Sequence, residues 1–207
     1  MSDLTLLGVF IPTFFFVSIT PGLCMTLALT LGMTIGVRKA LWMMSGELLG
    51  VGTVAAAAVL GVAALVTQYP EAFLVLRFGG GAYLAFLGVQ LWLSRGKVAL
   101  RIGEEDLPQP HPLSLATQGF ITAISNPKAW AFMVALLPPF VNLQDPIVPQ
   151  LVVLIAIILV LEFICLMIYA TGGRSLRKLL QNSGNVRILN RIAGILMISV
   201  GIWLAFL

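Results

Sequence analysis

Long apolar runs, separated by short polar or basic segments, fill this chain from end to end. From Leu4 to Val37 there are 34 residues without a formal charge, punctuated by Pro12 and by the pair Pro21-Gly22. As one straight helix this stretch would measure about 51 Å at 1.5 Å per residue, against a hydrocarbon core of about 30 Å. The first span must therefore tilt, break, or both. A second apolar run covers about Ala40 to Val66 and contains Glu47; a third covers about Ala72 to Leu93, after the turn signal Gln68-Tyr69-Pro70-Glu71. The segment Ser94 to Pro112 is charged and proline-rich and reads as a water-exposed loop. A fourth run, about Leu113 to Leu143, contains Asn126-Pro127-Lys128 and Pro138-Pro139. A fifth, about Ile147 to Thr171, contains Glu162; a basic connection from Gly172 to Arg191 leads into a sixth that ends at Leu207. No strand alternation interrupts this pattern, which argues against a β-barrel.

Composition turns the pattern into a class. The chain has 207 residues, 59% apolar and 10% charged, with a mean hydropathy of +1.04. So few polar residues cannot cover a water-facing surface, which excludes a soluble enzyme. The expected protein is an all-α polytopic membrane protein, one membrane domain over residues 1–207, with halves at about 1–94 and 113–207 joined by loop 95–112. The net charge of +4 does not point to nucleic acid, because the basic residues are scattered between apolar runs and form no stripe. Cys24 and Cys165 lack the spacing of a zinc site or a disulfide framework, and no cofactor or metal is expected. The start, Met-Ser-Asp, has no positive n-region, and the apolar stretch after it is too long for a signal peptide, so it is expected to be retained.

Ten of the twelve Lys and Arg residues fall in alternate connections: Arg38 and Lys39, then Arg95, Lys97 and Arg101, then Arg174, Arg177, Lys178, Arg187 and Arg191. The positive-inside rule places those loops in the cytoplasm and both termini outside it. Three spans followed by three of opposite starting side make a 3+3 inverted repeat, and the breakers match. Pro21 lies near the middle of the first uncharged run and Pro127 near the middle of the fourth, preceded by the capping residues Thr20 and Asn126. A cap followed by proline marks a helix starting afresh, so spans one and four are expected to be broken there. The span after each carries one acid, Glu47 or Glu162.

Two restarted helices would aim their N-termini at the bilayer midplane, each with unpaired N–H groups and about half a positive charge, suited to a carboxylate. Each proline also frees a carbonyl four residues earlier, at Val17 and Ala123, as an acceptor for a cation. Anion donors beside cation acceptors fit a zwitterion, and an amino acid is the simplest one. Thr20, Pro21, Gly22, Asn126, Pro127, Lys128 and Glu47 are the candidate substrate-binding residues. Glu162, twelve residues before Arg174 and so about 18 Å along the helix, cannot easily reach water and is the main candidate for proton coupling, with Glu47 as relay or ammonium holder. Lys128 opposes the dipole of its own helix unless an acid or anionic ligand neutralises it. Arg77 reads as an interface anchor. Gly32 and Gly36, Gly46 and Gly50, and Ala57 and Gly61 read as close-packing positions, and Gly79-Gly80-Gly81 as packing rather than a hinge. Both cysteines read as apolar fillers, and Tyr83 and Tyr169 as able to hydrogen-bond between helices.

Thr20-Pro21-Gly22, Gly46 and Gly50, Ala82-Tyr83-Leu84 with Leu87-Gly88, Asn126-Pro127-Lys128, Pro139-Phe140 and an acid in the fifth span together resemble the LysE/RhtB family of bacterial amino-acid exporters. The resemblance covers nearly the whole chain. It implies a six-span exporter of neutral or basic amino acids and their analogues in the bacterial inner membrane, driven by the proton gradient, with a homodimer among its implications. Leu23 departs from the family's Pro-Gly-Pro and restores a backbone N–H at the restart, and Glu47 stands where the family varies between acids and amides. Two other classes compete. A membrane thiol oxidoreductase would use Cys24 and Cys165, yet the repeat puts Trp130, not cysteine, opposite Cys24. A small channel or structural membrane subunit fits poorly with midplane charges and no ring-forming repeat.

Overall fold

The computed structural model describes residues 3–68, 70–93, 111–137, 140–141 and 145–206. The expected loop 95–112 therefore lies almost wholly outside the described residues, as do Pro138-Pro139 and the side chain of Arg77. Eight helices account for nearly all of it: α1 (Asp3–Ile19), α2 (Leu23–Thr34), α3 (Val37–Gln68), α4 (Pro70–Leu93), α5 (Pro112–Ile124), α6 (Pro127–Leu136), α7 (Ile147–Gln181) and α8 (Ser183–Phe206). There is no strand among the described residues. Val37–Gly61, Ile147–Gly173 and Gly184–Ile202 are long and apolar enough to cross a bilayer. The pair Leu7–Ile19 and Leu23–Thr34, bent by 58°, makes a fourth candidate. Leu49, Leu93, Leu113 and Val148 stand more than two-thirds exposed, the surface of a chain whose solvent is hydrocarbon.

The helix ends follow from local chemistry. Asn126 caps α6 as its sequence suggests: its Oδ1 accepts from the Lys128 N–H at 3.1 Å, with Pro127 at the first helical position. Thr20 does not cap α2. Its hydroxyl donates to the Phe16 carbonyl at 2.7 Å, closing the end of α1, while Gly22 in extended conformation (φ −143°, ψ −171°) is the residue that precedes the restart. The new helix thus begins at Leu23, two residues later than a Thr-Pro cap implies. Gly36 follows the end of α2 with φ +85°, the left-handed turn that glycine adopts without penalty.

The basic connection expected over 172–191 is instead mostly helical. α7 runs on to Gln181 through a kink at Gly173 (φ +46°), and α8 starts at Ser183, with the Asn182 side chain accepting from the Gly184 N–H at 2.9 Å. Lys and Arg are good helix formers, so a loss of apolarity marks departure from the hydrocarbon rather than the end of a helix.

Small residues set the packing. A Cβ on Gly46 would fall on the Ala116 carbonyl, one on Gly119 on the Met43 carbonyl, and one on Gly32 on the backbone of Ala170. These contacts hold α3 against α5 and α2 against α7, and backbones that close recover dispersion that lipid alone would not favour. Among the described residues no atom lies near the place that a methyl group would take on Gly36 or Gly61, so no packing contact is seen at those two expected positions. α4 and α8 meet through Gly88 and Gly194, where a Cβ on either would lie 2.6 Å from the other's carbonyl oxygen. The helix is continuous through Gly79-Gly80-Gly81. Two buried apolar clusters result, one around Phe10, Val54, Phe132 and Ile158, the other around Cys24, Met43, Leu166 and Tyr169.

Candidate functional site

Between the two apolar clusters lies a cavity of about 50 Å³ whose lining joins α1, α2, α3, α6 and α7. Thr20, Gly22, Glu47, Asn126, Lys128 and Glu162 all line it, so six residues from four separate stretches of chain converge there. Pro21 and Pro127 do not line it; they act on the backbone that shapes the wall. The cavity has room for a few water molecules and not for an amino acid.

The broken helices explain the convergence. The end of α1 leaves carbonyls without intrahelical partners, and in a low-dielectric setting each must be satisfied by the protein. Lys128 Nζ, from α6, donates to the Val17 carbonyl at 2.8 Å, and Tyr169 Oη, from α7, donates to the Ile19 carbonyl at 2.8 Å. At the end of α5, Trp130 Nε1 donates to the Ile124 carbonyl at 2.8 Å. The Val17 carbonyl expected to accept a cation does so, and the cation is the protein's own lysine. The pairing expected between Lys128 and a glutamate is indirect: Glu162 acts on the ammonium through the electrostatic field.

Glu47 is fully buried on α3, with Glu162 and the Cys24 thiol as the polar groups nearest its carboxyl. Glu162 on α7 keeps 8% of its surface exposed, and Ser18, Glu47 and Lys128 are its electrostatic neighbours. Two acids and one lysine thus share one small space. A buried carboxyl is costly in an apolar setting, which makes Glu47 and Glu162 the conspicuous groups of this cavity. Among the described residues no group of three or more His, Cys, Asp or Glu could hold a metal ion.

Sequence reasoning missed some of the lining. Ser18, Phe14 and Phe132 belong to it, and so does Cys24, which was expected to be only a filler; its Sγ accepts from Asn126 Nδ2 at 3.9 Å. An i to i+4 count back from Gly22 would have found Phe14 and Ser18 on the face that continues into the break. Both thiols are free, and Cys165 does not line the cavity.

The model of the LysE type translocator family matches residues 15–207. Among curated proteins, the homoserine/homoserine lactone efflux protein of Salmonella typhimurium is 27% identical over 188 residues, 91% of this chain and 90% of that protein. An uncharacterized membrane protein of Vibrio cholerae is 26% identical over the same shares, and the leucine efflux protein of an Enterobacter species is 28% identical over 131 residues, 63% and 61%. No solved structure matches the chain. With a match over most of its length and apolar helices throughout, this multi-pass membrane protein belongs to the LysE type translocator family.

Proposed function

We propose that the protein exports an amino acid or close analogue across the bacterial inner membrane by proton antiport. The observation that carries this reading is the meeting of two buried acids, a half-buried lysine and two helix N-termini in one cavity. The names of the relatives favour neutral amino acids such as homoserine and leucine. In this reading the chain has six spans as a 3+3 inverted repeat, with spans one and four broken and both termini outside. An internal symmetry supports it. Pro127 follows Pro21 by 106 residues, Gly194 follows Gly88 by 106, and Ile198 follows Trp92 by 106. Gly88 touches Gly194 and Ile198, while Gly194 touches Gly88 and Trp92. Two equivalent helices crossing antiparallel at a two-fold axis would make such contacts, which supports the repeat.

The mechanism follows from the partners. The substrate ammonium takes the Val17 carbonyl from Lys128, and the freed lysine turns to the substrate carboxylate together with the N–H groups in the first turn of α2. A carboxyl kept from water resists ionising, and a cation arriving beside it relieves that resistance, so solute entry expels a proton from Glu162 and solute exit lets one rebind. Glu47 shares or relays that proton. Glu162→Gln, which holds the neutral form permanently, separates the two halves of the cycle. In proteoliposomes the variant should still exchange labelled homoserine for unlabelled, while uptake driven by a pH gradient alone should vanish. Accumulation against a gradient by the Gln variant would transfer the coupling role to Glu47.

A further inference from the structure

A second cavity, of about 260 Å³, lies where α1 and α7 begin, lined by Leu7, Phe140, Asp145, Gln150, Val153 and Leu154 among others. It is larger than the central one and carries a carboxylate and an amide on an otherwise apolar wall. Between the two runs a chain of rings. Phe132 and Phe14 line the central cavity and stand 5.7 Å apart between centroids. Phe14 and Phe10 are 5.8 Å apart, and Phe10 meets Phe140, a wall residue of the second cavity, edge-on at 5.0 Å. All four rings are buried, Phe10 completely.

We propose that the second cavity is a vestibule of the transport path, open to the side of the membrane that holds the N-terminus, and that the four phenylalanines are the closed gate between it and the central site. The rings suit that task. Apolar side chains exclude water and protons from the path, and they move apart by χ rotation without breaking a backbone hydrogen bond. Asp145 at the mouth attracts the ammonium of a solute on that side, which gives the vestibule the same ligand class as the centre: a small compound with a protonated amine. This rests on the transporter reading, but the test needs neither solute nor proton gradient.

Cys24 is a native reporter, since it lines the central cavity. With Cys165→Ala, Cys24 is the only thiol, and its modification by a membrane-impermeant thiol reagent can be timed from each side of oriented vesicles. Phe10→Ala should speed modification from the N-terminal side by tenfold or more, and leave the rate from the opposite side unchanged. Val200→Ala, which trims the same apolar cluster away from the ring chain, should change neither rate. In a background with both cysteines replaced by Ala, Val153→Cys should react from the N-terminal side at the same rate with and without Phe10→Ala. If Phe10→Ala does not fold, Phe10→Leu is read in its place, with a smaller rise of the same sidedness. No rise in a folded variant, an equal rise from both sides, an equal rise with Val200→Ala, or a Val153→Cys thiol out of reach from the N-terminal side would overturn the proposal.

Discussion

Lys128 shows what a single side chain is asked to do. It sits at the second position of α6, where its charge opposes the helix dipole, yet its ammonium reaches across to the end of α1 and satisfies the Val17 carbonyl. Removing it leaves that carbonyl without its partner and, on the proposed mechanism, takes the one charged contact from an incoming carboxylate. Lys128→Ala should therefore weaken binding of homoserine by about tenfold to a hundredfold, in line with about 1.5–3 kcal/mol for a hydrogen bond to a charged group, and weaken homoserine lactone distinctly less. Competition for labelled substrate in detergent checks this; equal losses for acid and lactone would remove the carboxylate role. The residues of the cavity were largely legible in the sequence because ionisable groups in a membrane run are rare and conspicuous. Ser18, Phe14 and Phe132 were not, because a serine or phenylalanine in an apolar run looks like every other one until the packing chooses its face.

At the level of elements, proline and capping residues announced the breaks, and glycine announced some of the contacts. Gly46 and Gly61 look alike in sequence, each one of a small pair at four-residue spacing, but the first faces the Ala116 carbonyl, while among the described residues no atom lies near the second. Gly46→Val should cost more than about 3 kcal/mol, since the obstacle is backbone that cannot rotate away. Gly61→Val should change stability by no more than about 0.5 kcal/mol. Thermal unfolding in detergent distinguishes them, and similar midpoints for the two would contradict the α3–α5 contact. Spacing gave no means to tell these glycines apart, because it fixes which face a residue occupies and not what lies against that face. The helical segment after Gly173 was hidden for a related reason: polarity reports solvent, whereas helix formation depends on the backbone.

For the whole molecule, charge along the chain and the place of one stacked pair agree. Arg191 lies 5.5 Å over the ring of Trp92, putting an aromatic and a cation together at the end of α4 and about two turns into α8, an arrangement suited to the membrane interface. Small epitopes fused to either terminus should both be accessible from outside intact cells, and access to one end alone would break the even number of crossings. The Gly88–Gly194 contact carries a further consequence. Advancing 106 residues from Phe10 and Phe14 leads to Ala116 and Phe120, so Phe10, the ring next to the outermost one, has only a methyl group as its counterpart. At that counterpart the chain is shut by main chain against main chain, Gly46 upon Ala116. If the rings are the gate proposed above, that end yields by turning side chains, whereas the other would have to draw whole helices apart, a collective motion of microseconds to milliseconds. On the proposed two-fold plan and orientation, the two barriers would differ in speed, with the slower one on the side from which solute enters to be exported.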